Sequence, residues 1–199
     1  MADTKISAMP AAITPLTGAE TVPLVQSGAN VKATISSFGQ YAIDTFQNYG
    51  AFQDIDGPQT AAANVVTQLR INTTDFTQGV TKTGNRIIMT NAGVYSILIS
   101  LQLANGEANY DDFTLWPVLN GVAAVGSASV IAVPEKKGNR EGHTILCVNY
   151  TFQFAAAGYF EFYWHNVDGE AYVVTFPASV VTPIHPAAAG VILSVIQVG

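Results

Sequence analysis

The stretch 85-NRIIMTNAGVYSILISLQLAN-105 decides the fold of this chain. It contains two runs with β-strand character, joined by an Asn-Ala-Gly tripeptide, and the second run alternates along its length. Successive side chains of a strand point to opposite faces, and a half-exposed strand carries polar residues on one of them. One face would carry Tyr95, Ile97, Ile99, Leu101 and Leu103, and the other Val94, Ser96, Leu98, Ser100 and Gln102. The second face has no charged residue, so we expect a neighbour to cover it.

Strand signals continue on both sides of this stretch. Short runs rich in β-branched and aromatic residues are separated by Gly, Asn and Pro, and no helical periodicity interrupts them. This pattern predicts an antiparallel sandwich. The predicted strands are 65–72, 86–90, 93–103, 112–119, 143–154, 159–166, 171–176 and 190–198. Asn120-Gly121 predicts a hairpin turn after the fourth of them.

The run 155-AAAGYFEFYWHN-166 is aromatic on both of its predicted faces. One face suits the core of a sandwich, and the other needs a neighbour that is apolar and accepts hydrogen bonds from tyrosine hydroxyls. The first face would carry Phe160, Phe162 and Trp164, and the second Tyr159, Tyr163 and His165.

The amino-terminal segment is rich in small residues and differs from the rest. It predicts one hairpin, 21–26 and 30–36, which is too small to build its own core and must pack on another surface. Residues 37–44 predict a short helical turn, and 48–64 an extended lead-in. We place the boundary near Phe46, which predicts an anchoring arm at 1–45 and a jelly-roll head at 46–199.

Composition limits the classes of partner. With 49% hydrophobic and 11% charged residues, the chain is expected to hide part of its surface in an assembly. A net charge of −6 and the absence of a basic cluster exclude nucleic acid. No apolar run is long enough to span a bilayer and the start lacks a signal core, so we expect synthesis in the cytoplasm and no membrane partner. The single cysteine, Cys147, is predicted to be a buried apolar side chain.

The titratable residues predict neither catalysis nor a metal site. His143, His165 and His185 show no spacing that would make them converge, and there is no Gly-x-Ser-x-Gly elbow. Acidic loops offer oxygens to a cation such as calcium, but none reproduces an EF-hand loop. We therefore predict no enzyme, no metal and no cofactor, and solvated turns at Asp54, Asp56, Glu107, Asp111, Asp112, Asp168 and Glu170.

The span 71-INTTDFTQGVTKTGNRIIMTNAGVYSILISLQ-102 resembles the jelly-roll heads of the tumour necrosis factor and complement-globular-head superfamily. In these heads an aromatic-bearing loop precedes a strand, and a Gly-x-Tyr turn, here Gly93-Val94-Tyr95, opens the next one. The similarity continues through 112-DFTLWPVLNGVAAVGSAS-129 and the aromatic run, so it covers 49–199. It implies an all-β, antiparallel jelly-roll sandwich that forms a homotrimer, with the outer face of one sheet turned to the threefold axis.

The segment 5-KISAMPAAITPLTGAETVPLVQSGANVKATISSF-38 resembles the leader of many tailed-bacteriophage virion proteins. That leader runs Lys-Ile-Ser-x-Leu-Pro, then Leu-Thr-Gly-x-Glu, then a Val-Pro-Val-Val-Gln hairpin. Here Met9 replaces the first leucine and Leu24 replaces a hairpin valine. The resemblance implies a phage protein on the surface of the virion.

Together the two resemblances imply a non-enzymatic capsid decoration (cement) protein or short head-fibre trimer, whose arm binds the major capsid protein or another virion protein. The alternative is a tail-fibre or receptor-binding protein that recognises a host glycan or protein, although such proteins usually need a long shaft. The implied trimer interface is Ser96, Leu98, Ser100, Gln102, Tyr159, Glu161 and Tyr163. The implied capsid-anchoring residues are Val22, Leu24, Val25, Val31 and Ile35.

Overall fold

A computed structural model describes residues 16–199, apart from the side chains of residues 43–46. The chain divides into two compact units, Met1–Phe46 and Gln47–Gly199, which we call the arm and the head. The Lys-Ile-Ser motif at 5–7 and the substitution at Met9 lie outside the described residues.

The arm contains a β-hairpin. Strands β1 (Thr21–Gln26) and β2 (Ala29–Thr34) pair antiparallel. Ser27 and Gly28 between them have φ values of 52° and 79°, the left-handed conformation that both central residues of a type I′ turn adopt. This confirms the predicted hairpin, but the turn has two residues, because Ala29 belongs to β2, and the second strand ends at Thr34 instead of residue 36.

A helix, α1 (Ile35–Phe46), follows directly. Its start is capped by the Thr34 hydroxyl, which accepts a hydrogen bond from the Ser37 N–H at 3.1 Å. The helix is longer than the turn predicted at 37–44, because this cap begins it earlier than the sequence pattern indicated. Within residues 16–199, no helix has the length and apolar character needed to cross a membrane.

The head is built from β-strands, which we number in chain order. They are β3 (Tyr49–Asp54), β4 (Thr67–Gln68), β5 (Thr73–Gln78), β6 (Val80–Thr83), β7 (Arg86–Met89), β8 (Gly93–Asn105), β9 (Asp111–Leu119), β10 (Val122–Ala123), β11 (Ser129–Val133), β12 (Gly142–Phe154), β13 (Tyr159–Asn166), β14 (Ala171–Val173) and β15 (Val191–Gln197).

These strands form two antiparallel sheets packed face to face. Sheet I has the order β12-β8-β15-β3-β5, with β14 also paired to β8. Sheet II has the order β10-β9-β13-β7-β6, with β11 paired to β9 and β4 to β13. The consecutive strands β7 and β8 lie in different sheets, so the connection between them crosses from one layer to the other. The predicted all-β, antiparallel sandwich is confirmed.

The core confirms both predicted alternations. Tyr95, the first of the apolar series on β8, is fully buried, and its hydroxyl donates a hydrogen bond to the Asn91 carbonyl at 2.8 Å. From sheet II, Trp164 stacks on Phe113 with ring centroids 5.0 Å apart. Each fully buried large apolar side chain stabilises the fold by about 1.5–3 kcal/mol. The buried residues of the two predicted core faces are Tyr95, Ile97, Ile99, Leu101, Leu103, Phe160, Phe162 and Trp164.

Several strands differ from the prediction. β3 occupies the predicted lead-in, β5 and β6 occupy the predicted aromatic-bearing loop, and β11 was not predicted. Of the predicted strand 65–72, only Thr67–Gln68 forms a strand, β4, which pairs with β13. The sequence of β5, TTDFTQ, is polar and its middle residues are exposed, so its strand conformation comes from pairing with β3 rather than from an alternating pattern.

Candidate functional site

The outer face of sheet I is the second face of the opening stretch. Its residues are aligned in rows across the strands, and in one row Leu98 lies between Asn149 and Ser194. We call the part of this surface on β12, β8, β15 and β3 the uncharged face, because none of its residues is Asp, Glu, Lys or Arg. It consists of Ile145, Cys147, Asn149 and Thr151 on β12, Ser96, Leu98, Ser100 and Gln102 on β8, Ile192, Ser194 and Ile196 on β15, and Tyr49, Ala51 and Gln53 on β3. Asp75 of β5 lies at its edge and accepts a hydrogen bond from Gln53 at 2.6 Å.

Large apolar side chains on the uncharged face are open to solvent. Leu98 is 45% exposed, Ile145 56%, Ile192 47% and Ile196 54%. Single exposed apolar residues are ordinary on a protein surface, but here they share one face with hydroxyl, amide and other uncharged side chains. Removing apolar surface from water is favourable by roughly 25 cal/mol per Å². The face is therefore better suited to contact with protein than with water.

Cys147 lies on this face and is exposed, opposite Ser100 of β8. The prediction that it is buried was wrong. The residues around Cys147 are apolar on both faces of the strand, so the sequence did not show which face is buried. In the structure its neighbour Leu146, only 8% exposed, lies in the core instead.

The predicted trimer-interface residues are divided between the sheets. The β8 residues belong to the uncharged face of sheet I, whereas the β13 residues lie in sheet II. The outer faces of a two-layer sandwich point away from each other. The expectation of one common surface is thus corrected, because Ser96, Leu98, Ser100 and Gln102 are not brought together with Tyr159, Glu161 and Tyr163.

The outer face of sheet II carries a groove of about 300 Å³. Trp116 and Tyr163 are direct cross-strand neighbours, and their rings stack with centroids 6.5 Å apart and planes 24° from parallel. His165 contacts the same indole edge-on, at 5.8 Å between centroids. We call this site the aromatic groove. Its lining residues are Val66, Trp116, Val118, Gly121, Ala123, Glu161 and Tyr163.

A carboxylate lies in the aromatic groove. The Glu161 side chain is 10% exposed, and its Oε1 accepts a hydrogen bond from Arg86 Nε at 3.1 Å. The same guanidinium lies 3.8 Å from the centre of the Tyr159 ring. A desolvated carboxylate is costly unless it is paired, and the ion pair with Arg86 offsets the cost of burying Glu161.

The sequence did not predict the groove. Trp116 alternates with the buried Phe113 and Leu115 on β9, so it belongs to the strand face that should be polar. The tryptophan on this otherwise polar face was the one sequence signal that pointed to the groove. Its neighbours Tyr163 and Glu161 come from β13, and only the strand pairing brings them beside it.

Two acidic residues predicted to lie in solvated turns are buried. Asp54 is fully buried and paired with Arg70, with Oδ1 and Nε 2.9 Å apart. Asp111 is 1% exposed, and its carboxylate accepts hydrogen bonds from four backbone N–H groups of the segment 167–171. Burial alone would raise the pKa of Asp111, but these four hydrogen bonds hold it below the ordinary value of 3.8. Both carboxylates hold the fold together, and for them the predicted solvated turn was wrong.

The three histidines lie on separate elements. His143 is on β12, where it packs edge-on against Phe176 with centroids 5.3 Å apart, and His165 is on β13. His185 lies in the loop before β15, with Nδ1 2.9 Å from the carbonyl oxygen of Pro186. Within residues 16–199, no three His, Cys, Asp or Glu side chains are grouped so that they could hold a metal ion.

The predicted anchoring residues lie on the hairpin and at the start of α1. Val22 and Val25 are 37% and 68% exposed and lie on opposite faces of β1, while Leu24, Val31 and Ile35 are half-buried. The arm has two further exposed aromatic residues, Phe38 (46%) and Tyr41 (69%), which the prediction did not include. Their spacing of three residues, which places side chains on one side of a helix, was the signal for them.

Comparisons with known proteins identify the fold of the head. No family model matches the sequence, and no curated protein matches it. Among solved structures, murine APRIL has a TM-score of 0.50 and 8% identity, with coverage of 76% of this chain and 99% of that chain. Eiger TNF from S. frugiperda has a TM-score of 0.51 and 8% identity, with coverage of 77% and 93%. The chain therefore has the jelly-roll fold of tumour necrosis factor proteins, as the sequence predicted.

Proposed function

We propose that this protein is a non-enzymatic structural protein of a phage particle, a head decoration (cement) protein or short head fibre. It assembles as a homotrimer through its head and attaches to the major capsid protein, or to another virion protein, through its arm. The observation that carries the assembly is the uncharged face of sheet I. We infer the trimeric state from the resemblance of the head to tumour necrosis factor proteins, and the location on a virion from the resemblance of the arm to phage leaders.

The chemistry of the uncharged face favours contact with further copies of the chain. In a closed homo-oligomer every copy presents the same surfaces, so a face buried there must tolerate the chain's own side chains. None of the face's own side chains is charged, and the carboxylate at its β5 edge, Asp75, is hydrogen-bonded by Gln53. The amides and hydroxyls of the face can hydrogen-bond across an interface while Leu98, Ile192 and Ile196 are removed from water. The interface residues we retain are Ser96, Leu98, Ser100 and Gln102.

The arm suits attachment by strand addition. β1 and β2 form a two-stranded sheet of their own, so each has one edge whose backbone groups are unpaired within that sheet. Exposed Val22 and Val25 flank these edges with apolar surface. An exposed strand of a capsid protein could extend such a hairpin through backbone hydrogen bonds, with the valines packing beside it.

Light scattering tests the assembly. We expect a mass of three times 21.0 kDa for the full chain. Leu98→Asp should dissociate it, because each copy would bring an unpaired carboxylate into a desolvated contact. Val122→Asp is the matched control, since Val122 is 70% exposed but lies on sheet II, and its mass should stay that of the parent. A monomeric parent, or a Leu98→Asp variant that remains trimeric, would refute the interface.

Sedimentation with particles that lack the protein tests attachment. Deletion of residues 1–44 should leave a folded, trimeric head that no longer co-sediments, because the head has its own core. Co-sedimentation of the truncated head at the level of the full chain would show that the head makes the attachment.

A further inference from the structure

We propose that the aromatic groove of sheet II is a binding site for a neutral sugar ring. This inference goes beyond the proposed assembly, because the groove and the uncharged face lie on opposite sheets. In a trimer whose threefold axis faces sheet I, the outer face of sheet II points away from that axis. One part of the head can then bind a sugar while the other holds the subunits together.

The apolar side of the site suits the carbon skeleton of a sugar. A pyranose ring presents a patch of C–H groups that packs on the face of an aromatic ring. Trp116 supplies that ring, Tyr163 stacks beside it and holds its orientation, and Val66 and Val118 continue the apolar floor. The volume of about 300 Å³ is at the lower end of the roughly 300–1,000 Å³ of small-molecule sites, which fits a ring and not an extended chain.

The polar side of the site suits hydroxyl groups. The Glu161 carboxylate lines the groove and is held in place by Arg86 at 3.1 Å. A fixed carboxylate accepts strong, charge-assisted hydrogen bonds from hydroxyl donors, and the Tyr163 hydroxyl can donate or accept a further one. An aromatic floor with a positioned acceptor at its side is the combination that a sugar needs, since it is apolar on its faces and polar at its rim.

Charge and shape argue against the two nearest alternatives. An anionic sugar would bring its carboxylate towards Glu161, while the nearby cation Arg86 is already engaged by that residue. A quaternary ammonium group is best held by several rings that surround it. In the groove, Trp116 and Tyr163 stack on each other along an open surface and do not enclose a centre.

Tryptophan fluorescence gives a direct test, because the chain has two tryptophans and the other one, Trp164, is fully buried. The full-length protein is titrated with glucose, galactose, mannose and N-acetylglucosamine, and saturation-transfer NMR on each sugar provides a second readout. We expect at least one sugar to give a saturable fluorescence change and saturation transfer to its ring C–H protons.

Variants assign that signal to the groove. Trp116→Ala should abolish binding, as measured by saturation-transfer NMR because this variant lacks the fluorescent reporter. Glu161→Gln should weaken binding about tenfold, because its neutral amide oxygen replaces a charge-assisted hydrogen bond by a weaker one. Tyr110→Ala removes an aromatic residue that is 60% exposed outside the groove and should bind like the parent. Emission from buried Trp164 reports that each variant is folded.

Three outcomes would overturn the proposal. The first is no binding of any of the four sugars by either readout with the parent protein. The second is a folded Trp116→Ala variant that binds as the parent does. The third is tighter binding of N-acetylneuraminic acid or tetramethylammonium than of every neutral sugar, which would make the groove an anion or cation site.

Discussion

Asp111 lies at the start of β9, and its carboxylate is hydrogen-bonded to the segment that leads into β14. We expect its replacement by Asn to destabilise the head strongly. Its Oδ1 accepts hydrogen bonds from the N–H groups of Val167 and Asp168, at 3.0 and 2.9 Å. Its Oδ2 accepts them from Glu170 and Ala171, at 2.9 and 2.8 Å. Four donors thus converge on one carboxylate that is 1% exposed.

The expected magnitude follows from counting acceptors. The single oxygen of an Asn side chain can accept two of these hydrogen bonds, but its NH₂ group would face the other two donors. Hydrogen bonds to a charged group contribute about 1.5–3 kcal/mol each, so the loss of two should lower the free energy of unfolding by about 3–6 kcal/mol.

Urea denaturation at neutral pH measures this loss. Asp112→Asn is the matched control, because Asp112 is the half-buried neighbour and contributes its backbone carbonyl, which the substitution keeps, to the Val167 N–H at 3.1 Å. The control should change stability by less than about 0.5 kcal/mol. Equal losses in the two variants would refute the argument from the four hydrogen bonds.

The pH dependence of Asp111→Asn has a definite sign. The pKa of Asp111 is lower in the folded than in the unfolded chain, so the folded state stabilises the ionised carboxylate. Its contribution is fully present above the unfolded value of 3.8 and is lost as the pH falls through the lower folded pKa. The stability difference between parent and variant should therefore be constant near neutral pH and shrink on acidification.

Two further substitutions test a second buried carboxylate, Asp54, and the hydroxyl of Tyr172. Arg70→Met should cost about 3 kcal/mol in urea denaturation, because fully buried Asp54 loses its counter-ion and keeps only the hydrogen bond from Gln59; the exposed Arg140→Met is its control, and equal effects would contradict the reasoning. Burial, and then the hydrogen bond to Glu141 at 2.9 Å, raises the pKa of Tyr172 to about 12. Glu141→Gln should lower that pKa towards 10.0, as measured by tyrosinate absorbance in alkaline titration, and an unchanged pKa would show that Glu141 has no part in the shift.

The sequence by itself determined the fold class and the centre of the core. The alternation from Tyr95 to Leu103 and the apolar face of the aromatic run identify core residues without any knowledge of pairing, since the two-residue period of a strand is local. The hairpin at Ser27-Gly28 was also predictable, because it depends only on the conformations of neighbouring residues.

Only the tertiary structure decided which surfaces those strands form. β8 and β13 look alike in sequence, yet they lie in different sheets, so Leu98 and Tyr163 face opposite ways and the predicted common interface is divided. The aromatic groove exists because β9 pairs with β13, which brings Trp116 beside Tyr163. Asp111 finds its hydrogen-bond donors 56 to 60 residues away. Non-local pairing of this kind depends on the packing of the whole sandwich, and no local pattern along the chain encodes it.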